Sequence, residues 1–152
     1  MHRGGGVTLL ELLVVLALLG LLLLFYIPSA EAQRHRAAVS ETQAFLRMAR
    51  TEAIRRGSLV AVVQPTNAAN GLLACMDANG NGACDPGESP IQTLSLRGSS
   101  LELRPGFHPG LRFNALGQLN TGARVVVRTG KHATALCLAL TGRIRESPGG
   151  RC

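Results

Sequence analysis

The feature that most constrains this chain is an apolar run near its N-terminus. Residues 7–27 form 21 consecutive positions with a single charged side chain, that of Glu11. An α-helix of this length spans about 30 Å, the thickness of the hydrocarbon core of a bilayer. A secretory signal would be shorter and would be followed by small residues, whereas here three glycines at positions 4–6 precede the run. The run therefore predicts one transmembrane helix. Arg3 marks the preceding end as cytoplasmic, so the rest of the chain is expected outside.

The net positive charge of the chain comes entirely from its C-terminal part. Residues 1–96 carry seven basic and seven acidic side chains. Residues 97–152 carry nine basic side chains against only Glu102 and Glu146, which accounts for the whole net charge of +7. Such an asymmetry favours a polyanion or an anionic surface as partner, although solubility alone is the simpler interpretation.

All four cysteines lie beyond the apolar run, at Cys75, Cys84, Cys137 and Cys152. An even number of cysteines after a membrane helix predicts disulfides in an oxidising compartment. Zinc is the rival interpretation, but the chain has no CxxC pair and no clustered histidines. Three connectivities are possible, and we favour Cys75–Cys84 with Cys137–Cys152 because this choice pairs neighbours in sequence.

The start of the apolar run resembles the prepilin signature. In that signature a peptidase cuts after a glycine, and the fifth residue of the mature protein is a glutamate. A cut after Gly6 makes Val7 the first mature residue and Glu11 the fifth. The resemblance implies that the Glu11 carboxylate pairs with the Val7 amine of a neighbouring subunit during filament assembly. Val7 departs from the phenylalanine that is usual at the first mature position.

Two further residues match type IV pilins, in which the helix loosens between a glycine and a proline at the positions of Gly20 and Pro28. Glycine has poor helix propensity, and proline removes a backbone hydrogen bond. The implied organisation is a leader of residues 1–6, a transmembrane and filament helix of residues 7–27, an amphipathic helix half of residues 28–57 and a globular head of residues 58–152.

The rest of the chain predicts an α+β head. Apolar residues between Ala38 and Ile54 recur at steps of three and four, and Gly57 follows as a helix stop. One long helix, bent at Pro28, is therefore expected to pack on a small antiparallel β-sheet or β-sandwich, as in type IV pilins. Short apolar or alternating runs predict the strands at residues 59–64, 72–76, 91–96, 101–104, 111–113, 124–128 and 133–140.

This layout resembles the FimT/GspH group of minor pilins and pseudopilins over nearly the whole chain. Within it, Gly142, Arg143 and Arg145 match the GRxR motif with which FimT-type minor pilins hold DNA during natural transformation. In an extended segment Arg143 and Arg145 would face the same way, as a two-pronged comb, with Ile144 turned to the head. Planar guanidinium groups suit phosphate oxygens. Other basic residues are expected to extend the basic surface formed by Arg143 and Arg145, namely Arg128, Lys131 and Arg151.

Residues 77–88 fit the spacing of a calcium-binding loop. Its oxygen-bearing residues would be Asp77, Asn79, Asn81, Asp85 and Glu88. Strands rather than helices are expected to flank the loop, so a polar β-hairpin turn is the favoured interpretation and a metal site is not predicted. Calcium binding stays open as an alternative.

No catalytic arrangement is visible, since the four histidines are scattered and none is paired with a nucleophile. We therefore expect no enzyme and no cofactor. The expected partners are other pilins or pseudopilins, the prepilin peptidase, the inner membrane and, without sequence preference, DNA phosphates. The expected location is the bacterial inner membrane with a periplasmic head, and then the pilus. The alternative function is a structural subunit of a type II secretion or type IV pilus filament that does not bind DNA.

Overall fold

The computed structural model describes residues 8–26, 29–104 and 110–152. Helix α1 (Leu9–Tyr26) belongs to an N-terminal unit that ends at Ala30, and Glu31–Cys152 form a second compact unit. The side chains of α1 are exposed from Leu9 to Leu22. Within the described residues, no helix combines the length and the apolar character needed to cross a membrane. The ends of the predicted span, at residues 7 and 27, lie outside the described residues.

Helix α2 (Ala30–Arg56) forms where the three-and-four periodicity predicts it. Its buried face includes Phe45 and Leu46, which are almost fully shielded from solvent. The helix ends at Gly57, whose positive φ of 63° lets the chain turn back. The Gly57 amide donates to the Ile54 carbonyl and the Ser58 amide to the Ala53 carbonyl, both at 3.2 Å. This pair of bonds is a Schellman cap, and it confirms the predicted stop.

The head contains two four-stranded antiparallel sheets. The strands are β1 (Val60–Val63), β2 (Gly71–Met76), β3 (Pro90–Ser95), β4 (Ser100–Arg104), β5 (Leu111–Phe113), β6 (Ala123–Thr129), β7 (His132–Leu138) and β8 (Ile144–Pro148). One sheet has the strand order β3-β2-β1-β5 and the other has the order β4-β6-β7-β8.

A single hydrophobic core joins α2 to both sheets. Leu46 from α2, Val62 and Phe113 from the first sheet, and Val125 and Leu136 from the second are all buried in it. Each sheet therefore turns one face inward. In β6, Val125 and Val127 point into the core while Arg124 and Arg128 lie outside it, as expected for side chains that alternate between the two faces of a strand.

The first turns of α2 are anchored to the hairpin that joins β6 and β7. His35 lies with Nδ1 3.2 Å from the Thr129 hydroxyl and Nε2 2.8 Å from the Thr134 hydroxyl. Burial lowers the pKa of His35, and the neighbouring His132 ring, whose centroid lies 5.6 Å away, lowers it further. Both effects favour the neutral form of the ring that joins the helix to this hairpin.

The predicted α+β class is confirmed, and each of the seven predicted strands is present to within three residues at either end. Strand β8 was not among them. Its five residues are exposed or half-buried, so they lack the apolar signal by which strands were recognised.

Candidate nucleic-acid interface

The predicted cleavage site, Gly6 and Val7, lies outside the described residues, as does Pro28. Glu11 lies in the first turn of α1, three residues after Thr8. The Thr8 hydroxyl accepts a hydrogen bond from the Glu11 amide at 3.3 Å, so Thr8 caps the helix. An acid at the third helical position also suits the helix dipole. The cap thus uses the backbone N–H of Glu11, while the residue itself remains exposed.

The break expected at Gly20 is wrong. Helix α1 continues through this residue to Tyr26. A single glycine costs a helix about 1 kcal/mol relative to alanine, which weakens the helix without ending it. No atom outside the helix backbone lies within 4 Å of the place where a Gly20 side chain would begin.

The GRxR residues form a tight turn that leads into β8. Gly142 has a φ of +76°, and its amide donates to the Ala139 carbonyl at 2.8 Å. The Ala139 amide in turn donates to the Arg143 carbonyl at 3.0 Å. Arg143 and Arg145 are exposed, whereas Ile144 between them is half-buried against the core. Ile144 is thus turned to the head as predicted.

Arg143 and Arg145 are both exposed on either side of the half-buried Ile144, as the expected comb requires, but they line different cavities. Strand β8 begins at Ile144, so Arg143 lies at the end of the preceding turn. Arg143 lines a cavity of about 440 Å³ beside Arg47 and Arg50 of α2. Arg145 instead lines a cavity of about 420 Å³ with Arg104 and Arg124.

Arg50 holds the turn against α2. Its Nε donates to the Gly117 carbonyl at 2.9 Å, and its Nη2 donates to the Thr141 carbonyl at 3.3 Å. These bonds join α2 to two turns that are 24 residues apart in sequence and place Arg143 next to the helix. Sequence reasoning missed Arg47 and Arg50, because helical periodicity assigned both to the solvent face.

The other predicted basic residues are only partly brought together. Arg151 directly precedes Cys152, and Cys152 is bonded to Cys137 on β7. Because Cys137 lies opposite Arg145, the disulfide brings Arg151 to the face of the sheet that carries Arg145. Arg128 lies four residues along β6 from Arg124, a distance of about 14 Å in a strand.

Lys131 lies beyond Arg128, at the tip of the β6–β7 hairpin. Its amide donates to a Glu31 carboxylate oxygen at 3.0 Å. Arg128 and Lys131 are therefore separate from the group around Arg145.

The loop of residues 77–88 uses its carboxylates to bind its own N–H groups. Asp77 is buried and accepts hydrogen bonds from the Asn81 and Gly82 amides, each at 3.0 Å. The Glu88 carboxylate accepts from the Ala78 and Asp85 amides. Across the ranges that the structure describes, no group of three or more acidic, histidine or cysteine side chains is arranged to hold a metal ion. The loop joins β2 to β3, as expected for a hairpin connection.

Two disulfides stabilise these loops. Cys75 bonds to Cys84 inside the 77–88 hairpin, and Cys137 on β7 bonds to Cys152 near the C-terminus. This is the connectivity favoured from the sequence. The second bond fixes the C-terminal segment against the sheet face that carries Arg145.

Two family models match this sequence. The model described as type II transport protein GspH matches residues 38–142, and the model described as a prokaryotic N-terminal methylation motif matches residues 1–27. The first match covers most of the head and the second covers Gly6, Val7 and Glu11. A sequence relative is the pilin-like protein PilA1 of Thermus thermophilus, 44% identical over 86 residues. These residues are 55% of this chain and 54% of PilA1, so the alignment spans about half the length of the relative.

Several solved structures share the fold. The type IV minor pilin FimU of Pseudomonas aeruginosa has a TM-score of 0.61 at 22% identity, over 82% of this chain and 96% of FimU. The minor pseudopilin EpsH of Vibrio cholerae has a TM-score of 0.58 at 16% identity, over 78% of this chain and 99% of EpsH. GspH of E. coli has a TM-score of 0.58 at 16% identity, over 81% of this chain and 94% of GspH. The matched proteins are pilins and pseudopilins rather than enzymes.

Proposed function

Since this chain belongs to the GspH family of type II transport proteins, we propose that it is a minor pilin whose head binds DNA through Arg143 and Arg145 for uptake in natural transformation. It is a filament subunit of the minor pilin and pseudopilin class, and DNA binding is the additional function of its head. The observation that carries this proposal is the state of the two guanidinium groups. Both are exposed, and in the described part of the chain neither forms a salt bridge.

The chemistry of the surface supports phosphates as the ligand. Each of the two arginines has further arginines beside it, Arg47 and Arg50 in one case and Arg104 and Arg124 in the other. Guanidinium groups can bind phosphate oxygens in a bidentate manner, and phosphate contacts carry no base information. With one tyrosine and no tryptophan in the chain, stacking on bases contributes little. Binding should therefore be sensitive to salt and indifferent to DNA sequence.

The experiment that tests this proposal is DNA affinity as a function of salt. In duplex DNA each phosphate that a protein cation neutralises contributes about −0.9 to the slope of log affinity against log salt concentration. The R143Q/R145Q variant should flatten this slope by about 1.8, equally for unrelated DNA sequences. The measurement uses the full-length protein in a non-ionic detergent and a labelled duplex.

The matched control is R34Q/R97Q. Arg34 and Arg97 are exposed and line a different cavity, next to Glu41, so this variant loses the same charge elsewhere. We expect its salt slope to stay close to that of the wild type. Equal slopes for R143Q/R145Q and the wild type would contradict DNA binding by these residues.

A structural role without DNA binding is the second candidate. It is favoured by the likeness to EpsH, a minor pseudopilin of the type 2 secretion system of Vibrio cholerae. In that case the head would contact only neighbouring subunits, and the wild-type protein would show no DNA binding at low salt.

We also propose the processing and location that the N-terminal residues imply. The methylation motif at residues 1–27 supports cleavage by a prepilin peptidase between Gly6 and Val7. The protein would then be anchored in the bacterial inner membrane by residues 7–27, with its head in the periplasm, before it enters a pilus. The Glu11 carboxylate, exposed at the start of α1, would pair with the Val7 amine of a neighbouring subunit.

A further inference from the structure

We propose that Arg104, Arg124 and Arg145 form a second phosphate site, on the outer face of the sheet β4-β6-β7-β8 and separate from the cavity of Arg143. This inference rests on the proposed DNA binding and adds two residues to it. Neither Arg104 nor Arg124 belongs to the GRxR motif. The ligand is a phosphate group of a nucleic-acid backbone.

The strand register places the three arginines in one row. Arg104 lies opposite Arg124, Arg124 lies opposite Cys137, and Cys137 lies opposite Arg145. Residues directly opposite each other in an antiparallel sheet have side chains on the same face. The neighbouring residues Val125 and Leu136 are buried in the core, so the row of arginines faces outward.

The row surrounds an open cavity. The three arginines and the Cys137–Cys152 disulfide all line the same space of about 420 Å³. Adjacent strands are about 4.8 Å apart, so Arg104 and Arg124 are close neighbours while Arg145 lies two strands further on, about 10 Å from Arg124. The small disulfide-bonded Cys137 side chain lies between Arg124 and Arg145 in the row, and the cavity that all three arginines line is large enough for a phosphate group.

The balance of charge in the row favours an added anion. Like charges that face each other across a sheet destabilise the pair. Of the three arginines in the row, Glu102 compensates only Arg104. It accepts a hydrogen bond from Arg104 Nε at 2.7 Å and lies 3.8 Å from Arg128 Nη2. One carboxylate thus serves two arginines, and among the described residues no salt bridge reaches Arg124 or Arg145.

The test compares three variants of the full-length protein in non-ionic detergent, with a labelled DNA duplex as probe. R104Q/R124Q should flatten the salt slope by between about 0.9 and 1.8, depending on whether the two arginines share a phosphate. The charge-matched variant R34Q/R97Q should leave the slope close to that of the wild type. E102Q should change affinity in the opposite direction, because it removes the acid that competes with phosphate for Arg104 and Arg128, and binding at low salt should tighten several-fold.

The outcomes separate this inference from the proposed function. If R143Q/R145Q weakens binding but R104Q/R124Q behaves like R34Q/R97Q, DNA binding stands and the second site is overturned. If the full-length wild-type protein shows no DNA binding at low salt, both are overturned. Should R104Q/R124Q fail to fold, E102Q decides, since unchanged or weaker binding by that variant contradicts the site.

Discussion

Replacing Gly142 with alanine is expected to destabilise the head by about 2–5 kcal/mol. Gly142 has a φ of +76°, which costs a residue with a side chain about 1–2 kcal/mol. A Cβ there would also lie 2.1 Å from the Gly117 carbonyl oxygen and 2.7 Å from Arg50 Nε. Because that carbonyl accepts the Arg50 hydrogen bond, the clash can be relieved only by moving both, and overpacking of this kind adds about 1–3 kcal/mol.

The matched control for this prediction is Gly149→Ala. Gly149 has the same φ of +76°, but nothing lies within 4 Å of the position of its Cβ. The Gly149→Ala variant should therefore lose only about 1–2 kcal/mol of unfolding free energy, from the backbone strain alone. Urea unfolding followed by circular dichroism measures the unfolding free energy of both variants. Equal losses for the two variants would show that the Arg50 contact does not constrain the turn. The glycine of the GRxR motif thus has a packing role that is independent of any ligand.

Replacing Glu11 with alanine is expected to remove the protein from filaments while leaving its cleavage intact. In the proposed assembly the Glu11 carboxylate pairs with the Val7 amine of a neighbour in apolar surroundings. Removing one partner of a buried ion pair costs about 3–5 kcal/mol. Immunoblots of sheared pili measure incorporation, and N-terminal mass analysis measures cleavage. The mature protein should begin at Val7 and carry an N-methyl group.

The control Glu11→Gln separates the charge of Glu11 from the size of its side chain. Glutamine is nearly the same size but uncharged, and it keeps the backbone N–H that Thr8 caps. If Gln supports incorporation as well as Glu does, the charge is not needed and the proposed ion pair is wrong. A mature N-terminus after Ala30 or Ala32 would instead indicate an ordinary secretory signal and would contradict the pilin assignment.

Local sequence patterns predicted those helices and strands whose formation depends mainly on residues close together in sequence. The end of α2 at Gly57 could be predicted because glycine readily adopts the positive φ that ends a helix. The seven apolar strands could be predicted from alternating apolar and polar residues and from the turn residues between them. Strand β8 was not predicted, because this edge strand has only one apolar side chain packed against the core, that of Ile144. That Arg143 and Arg145 line different cavities could not be predicted, because it depends on how α2 and the neighbouring strands pack around them.

The arrangement of the basic residues could not be predicted, because it depends on pairing between distant strands. Arg104 and Arg124 are separated by 20 residues, and Arg145 follows after 21 more. Only the register of β4, β6, β7 and β8 places them in one row. Arg50 reaches the turn at Thr141 by packing of the helix on the head, which helical periodicity alone does not reveal. The charge asymmetry of residues 97–152 indicated a basic surface but not its location.

The measurement that tests the central claim most directly is the frequency of natural transformation in cells that carry the R143Q/R145Q variant, scored together with pilus display. A DNA-binding minor pilin predicts that transformation is lost while pili are displayed at the wild-type level, and that R34Q/R97Q cells behave like the wild type. Exposed substitutions usually change stability by less than about 0.5 kcal/mol, so the filament should assemble normally. Wild-type transformation in the R143Q/R145Q cells would contradict the DNA-binding function and leave the structural subunit as the account of this protein.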